Sequence, residues 1–173
     1  MKSQFTRRSN QGNMAEFGTA FLLLITFIFL PLLNMSFIPV RYMICEGALT
    51  ELCRRLAHSE RFSDAKASLA KEQWYKTLLN QCGVTVSGEQ LRILVTTADG
   101  ARSVVKQNND LPDEWLPGGA NGPCIYSLEV KADCTISALY QGPFQPTKMT
   151  IRTHSQWENL AKDPSSLEYF INE

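Results

Sequence analysis

Phe17 to Val40 reads FGTAFLLLITFIFLPLLNMSFIPV, twenty-four residues without one charged side chain. At about 1.5 Å of rise per residue, such a helix reaches about 36 Å, enough to cross a hydrocarbon core of about 30 Å with some tilt. A cleaved secretory signal also joins a basic start to an apolar run. Its apolar region, however, is about 7 to 15 residues long and ends in a small-x-small site. This run continues instead through Phe37, Ile38, Pro39 and Val40 to Arg41. The stretch predicts one retained transmembrane helix, residues 13–40 with its approach, from which everything after Arg41 hangs.

Charge orients that helix and narrows the partners. Lys2, Arg7 and Arg8 precede it, and no Asp or Glu occurs among the first fifteen residues. The positive-inside bias then keeps the short N-terminus in the cytoplasm and puts residues 41–173 in the periplasm or outside the cell, in a single-pass arrangement. Seventeen basic and seventeen acidic residues cancel, leaving no electrostatic footprint for a nucleic acid. The partner that composition does specify is a lipid bilayer. About 130 residues remain beyond the anchor, one exported domain with a modest core.

Residues 1–12, MKSQFTRRSNQG, are polar, basic and without periodicity, a leader rather than part of a fold. The leader end RRSNQG, the pair Glu16-Phe17 before a long apolar helix, and the run VRYMICEGALTELCRRLAHSE together resemble the TadE/TadG-like pseudopilins of tight-adherence (Tad) pili, which are type IV pilin-like. The resemblance covers about the first sixty residues. It implies a prepilin peptidase cutting between Gly12 and Asn13, and it implies packing against other pilin or pseudopilin subunits through Glu16 and Phe17. Two departures stand in the sequence. Glu16 becomes the fourth mature residue where the family has its Glu at the fifth, and the first proline is Pro31.

Glu16 has a physical reading of its own. A carboxylate within lipid costs about 2.5 kcal/mol or more at the bilayer centre and less near the interface, so it stays hydrated or faces a partner. It can cap its own helix, gaining several tenths of a kcal/mol from the dipole. It can equally pair with the freed α-amine of a neighbouring subunit and set the register of packed helices. Farther along, Pro31 and Pro39 each remove a backbone donor. A bend or locally rewound turn between them is the consequence, with Asn34 and Ser36 placed to supply hydrogen bonds.

Beyond the span the helical period continues to Arg61. Ile44, Cys45, Ala48, Leu49, Leu52, Cys53 and Leu56 share one face, while Arg41, Glu46, Thr50, Glu51, Arg54, Arg55 and His58 share the other. A second helix over residues 64–82 starts at the N-cap signal Ser63-Asp64 and stops at Gly83. Leu69, Trp74 and Leu78, flanked by Tyr75 and Cys82, form its apolar stripe. The period then switches to two, giving a sheet over about 84–153: Val84–Val86, Leu91–Thr97, an Asp99-Gly100 hairpin, and Arg102–Val105. Cys124 to Tyr140 alternates apolar and polar without a break, either as one long strand or as a hairpin turning near Lys131–Asp133. Lys148–Thr153 is a last strand, and Ser155-x-x-Glu158 resembles a capping box. Between strands, residues 106–123 form a long loop in which Trp115 either packs on the sheet or awaits a partner. The fold class is α+β: a transmembrane helix running on into an amphipathic helix that packs on a small, mainly antiparallel sheet.

Five cysteines in an exported domain point to oxidation, with one left over. Cys45 and Cys53 lie about 12 Å apart along one helix, and Cys124 and Cys134 about 33 Å apart along one strand, so neither is a self-pair. That leaves Cys82 with Cys124, or alternatively Cys82 with Cys134. The spacing of Cys and His holds no zinc motif, His58 and His154 read as solvated, and no phosphate loop or nucleophile motif occurs. No metal, cofactor or catalytic residue is expected. The functional expectation is a non-catalytic minor pseudopilin assisting pilus assembly. The alternative is a bitopic bacterial inner-membrane protein whose outer domain binds a partner or ligand.

Overall fold

A computed structural model describes residues 11–139 and 145–173. Most of the basic leader, with Lys2, Arg7 and Arg8, falls outside the described residues. So does Tyr140, the last residue of the stretch read as alternating.

The fold is α+β, built on one long helix and one four-stranded antiparallel sheet. The helix begins as α1 (Gln11–Leu24), passes through a π-helical turn (Ile25–Phe29) and continues as α2 (Leu30–Ala57). These segments of 14, 5 and 28 residues make one rod about 70 Å long. The rewound turn sits just before Pro31, not between Pro31 and Pro39 as the sequence suggested. Proline lacks an N–H and its ring crowds the carbonyl four residues back. Widening the ladder there, with the Leu30 N–H donating to the Ile25 carbonyl, gives that carbonyl room. Pro39 is carried inside α2, and the Ser36 hydroxyl back-bonds to the Leu32 carbonyl at 2.9 Å.

Two shorter helices follow where one was expected. Glu72 adopts an extended conformation and separates α3 (Phe62–Lys71) from α4 (Trp74–Gln81). The break shifts the phase of the apolar stripe, so α4 buries Tyr75 and Leu79 while Leu78 faces outward and Trp74 is half-buried beneath the Arg55 guanidinium, 4.8 Å from its ring centre. Ser63 is not the cap. The N–H groups of Phe62 and Ser63 donate to the carbonyls of Phe170 and Glu173, so the C-terminal tail satisfies the open end of α3. Gly83 stops α4 as read, at φ +74, where a Cβ would lie 3.1 Å from the Arg41 guanidinium.

The sheet order is β2-β1-β3-β4, with β1 Val84–Thr97, β2 Ser103–Lys106, β3 Cys124–Ile136 and β4 Thr147–Gln156. Val84–Val86 and Leu91–Thr97 are one strand, interrupted by a bulge between Ser87 and Gln90. Asp99-Gly100 forms the predicted turn, with Gly100 at φ +72 and Thr96 opposite Ser103. β3 is a single strand at the centre of the sheet. Its even-numbered residues Tyr126, Leu128, Val130, Ala132, Cys134 and Ile136 all face the core. The expected capping box is absent in fact: Ser155 and Gln156 close β4, and the Trp157 N–H goes on to pair with the Tyr126 carbonyl. Trp157 itself is buried, which holds the chain flat against the sheet instead of letting it coil. Trp115 also packs on the core, inside a short 3₁₀ turn (Asp113–Trp115) whose last carbonyl accepts the Tyr126 hydroxyl at 2.9 Å.

The distal half of α2 lies across this sheet. Cys45, Leu49, Leu52, Cys53 and Leu56 are buried as the heptad-like spacing required, with Ile44 left 37% exposed at the edge of the stripe. Each fully buried Leu contributes roughly 1.5–3 kcal/mol. Three polar contacts at four-residue intervals mark the seam. Cys45 meets Cys134, the Thr153 hydroxyl donates to the Leu49 carbonyl at 3.2 Å, and the Cys53 thiol donates to the Leu128 carbonyl at 3.2 Å.

Candidate functional site: the proximal half of the long helix

Apolar side chains at every angle leave the first half of the rod little among the described residues to pack against. Phe17, Phe21, Leu22, Phe27, Ile28 and Leu32 are all exposed. Residues Glu16–Ala57 form a helix long and apolar enough to cross a membrane, and only 6% of its most apolar window is buried. Phe17 and Phe21 stack one turn apart, ring centres 6.3 Å from each other. Such a surface is stable only in lipid or against other apolar helices.

Glu16 is the one ionisable group between Arg8 and Arg41. Its side chain is exposed, and no cation pairs with it among the described residues. Gln11, Gly12 and Asn13 are already helical, so Glu16 stands beyond the first turn of the uncut chain. A carboxylate there gains little from the helix N-terminus, since the dipole acts within the first turn. Removing residues 1–12 changes this. The new α-amine would lie on Asn13, three residues and about 4.5 Å of rise from Glu16.

The bare half ends sooner than the sequence suggested. Asn34 is buried, Ile38 packs against the core, and both line an apolar cavity of about 220 Å³ beside Ile136 and Thr147. Three residues after Ile38, the Arg41 guanidinium donates to the Ser137 carbonyl and packs under Gly83. Contact with the sheet therefore starts near Pro31 rather than at Arg41, and the length left uncovered is residues 16–30. Arg41 was read as ending the apolar run and lying on the polar face of the helix, whereas its guanidinium turns onto the head. Its lock on Ser137 had no signal in the local pattern.

The cysteine pairing read from the sequence is overturned by the topology. Cys82 precedes Val84, which pairs with Ile136, whereas Cys124 pairs with Thr97 at the other end of β1. Fourteen residues of strand, about 45 Å, separate them. Cys134 does not turn toward Cys82 either, because its even-numbered position faces α2, where its sulfur lies 3.1 Å from that of Cys45. Among the described residues, no group of three or more His, Cys, Asp or Glu side chains could hold a metal.

Comparisons of the chain with protein-family models, with curated proteins and with solved structures find no match.

Proposed function

We propose that this chain is a minor, non-catalytic pseudopilin-like subunit that takes part in assembling a Tad-type pilus, held in a bacterial inner membrane by the bare half of its long helix. Its N-terminus is cytoplasmic and its α+β head lies on the outer side. The observation that carries the reading is Glu16: one exposed carboxylate on an otherwise uncharged, uncovered helix, within a turn of the Gly12-Asn13 bond. Cleavage after Gly12 by a prepilin peptidase frees an amine. A neighbouring helix staggered by about one turn brings that amine against Glu16, and the apolar faces around Phe17 pack beside it. Each contact neutralises two charges where water is scarce.

The test is made on Gly12 and Glu16 together. Expressed with its peptidase, the protein loses residues 1–12, read as intact mass, and Gly12→Val keeps them. Glu16→Gln leaves the neighbour's amine unpaired, a penalty of about 3 kcal/mol or more and thus a factor of roughly a hundred in association at each interface. The variant is inserted and cut, yet does not co-purify with pilin partners and does not support piliation. An uncut leader in a host that processes other pilins rejects the pseudopilin reading and leaves a bitopic protein with a partner-binding outer domain. Normal assembly by Glu16→Gln reduces Glu16 to a hydrated surface charge.

A further inference from the structure

The core where α2 meets β3 holds two sulfurs against each other. Cys45 is on the buried stripe of α2 and Cys134 on the core face of β3, each at most 1% exposed, with their Sγ atoms 3.1 Å apart. Unbonded heavy atoms rest at about 3.5–4.0 Å, and bonded disulfide sulfurs at about 2.05 Å. Closing the remaining 1 Å or so requires a small adjustment of two side chains and no change of fold. The contact they share, with burial adding to it, pushes the Cys45 thiol above its ordinary value.

The other cysteines have different settlements. Cys53 donates to the carbonyls of Leu128 and Thr153, at 3.2 and 3.7 Å. Cys82 and Cys124 sit half-exposed at opposite ends of β1, and the Cys124 thiol turns back onto the Gly122 carbonyl. All five are free thiols in this structure, and Cys45 and Cys134 are the two whose sulfurs touch.

We propose that Cys45 and Cys134 are joined by a disulfide that staples the long helix to the central strand of the sheet. The proposal rests on the outward placement of the head described above, since thiols kept in the cytoplasm stay reduced. The oxidant is a disulfide-bearing thiol oxidase. The thiolate of one cysteine of the pair attacks one sulfur of its disulfide, forming a mixed disulfide and expelling the other oxidase sulfur as a thiolate. The thiolate of the second cysteine then attacks the chain's sulfur in that mixed disulfide, forming the Cys45–Cys134 bond and expelling the oxidase's remaining sulfur. The chain gives up two protons and two electrons, and the oxidase becomes a dithiol. Neither sulfur is reachable in the closed core, so the exchange precedes docking of α2 on the sheet. Once made, the bond transmits any pull on the helix directly into β3, which is flanked by β1 and β4 on both sides.

The full chain, extracted from its native envelope, is denatured with an alkylating reagent in the absence of reductant. Three of the five thiols react, and the other two react only after reduction. In Cys45→Ala and in Cys134→Ala all four remaining thiols react at once, whereas Cys53→Ala and Cys82→Ser keep a protected pair. The wild-type count needs no variant to fold and decides the matter alone: five free thiols overturn the staple. Asn108→Cys, in an exposed loop, is labelled in parallel on spheroplasts with a membrane-impermeant maleimide. Labelling there with five free thiols rejects the pairing and keeps the outward head. Labelling only after lysis, with five free thiols, rejects both.

Discussion

One helix is built for two surroundings. Its first half, from Phe17 to about Leu30, is apolar on all sides and largely uncovered. Its second half carries a single apolar stripe, and that stripe is covered by the sheet. The backbone is continuous through both, with only a π turn before Pro31 at the change of surroundings. Stability of the head is therefore a property of the second half alone, and the first half is free to be specified by whatever surrounds it. The same leucine costs several kcal/mol in one place and nothing measurable in the other.

The sharpest way to test this division is the proposed Cys45–Cys134 staple, which belongs wholly to the second half. A crosslink spanning 89 residues of chain stabilises by about 4–5 kcal/mol through the entropy it removes from the unfolded state. For a head of about 130 residues the melting temperature of the oxidised protein lies on the order of 15 °C above that of Cys45→Ala/Cys134→Ala. Thermal denaturation in detergent followed by circular dichroism reads the difference. Equal melting temperatures in the two proteins would place the stability elsewhere.

A pair of truncations gives the next largest effect. Leu52→Ala removes a fully buried side chain from the covered half and lowers head stability by about 3 kcal/mol, within the range that leaves a cavity in a packed core. Leu22→Ala makes the same chemical change at a site 64% exposed in the bare half, and moves head stability by less than about 0.5 kcal/mol. Urea unfolding of both variants measures the ratio. A comparable loss from Leu22→Ala would mean that the bare half supports the head after all.

How much of this was readable in the sequence follows the range of each interaction. The covered stripe from Cys45 to Leu56, the alternation along β3 and the Asp99-Gly100 turn are periodic or local signals, and each stands where the spacing put it. Several of the misreadings involve segments distant in the chain. Ser63 looked like a cap because the real partners of the helix start, the carbonyls of Phe170 and Glu173 that take the Phe62 and Ser63 N–H groups, are about a hundred residues away. Ser155-x-x-Glu158 looked like a helix start because nothing local announces that Trp157 is held by Tyr126. The Cys45–Cys134 contact was within reach. Both residues fall on faces assigned to the core, one by a helical period and one by a strand period, and asking which cysteines share a core would have preferred them to Cys82 and Cys124. Glu16 differs in kind, since no other described residue of its own chain explains it.

The smallest effect lies where the covered half ends and the C-terminal tail ties it off. Past Ala57 the chain turns at His58 toward Arg61, whose guanidinium donates to Asp163 at 2.6 Å and pairs with Glu173 at 3.0 Å. Asp163 also accepts the Ser165 hydroxyl at 2.5 Å and the Ser165 N–H at 2.7 Å. The Ser165 hydroxyl first, then its N–H, with Arg61 adding a smaller share, holds the Asp163 carboxyl below the usual range. A carboxyl that ionises more readily folded than unfolded binds fewer protons in the native state, so stability rises with pH wherever the unfolded chain still takes one up. The contribution is complete above the unfolded value of about 3.9 and is lost as pH falls below it toward the lower folded value. Asp163→Asn therefore flattens the acid limb of the head's stability profile below about pH 4 and leaves the slope at neutral pH unchanged. Denaturant midpoints measured from pH 7 down to pH 3 would show it. An acid limb of unaltered slope in the variant would mean that the tail is tied by Glu173 and the Phe170 backbone alone.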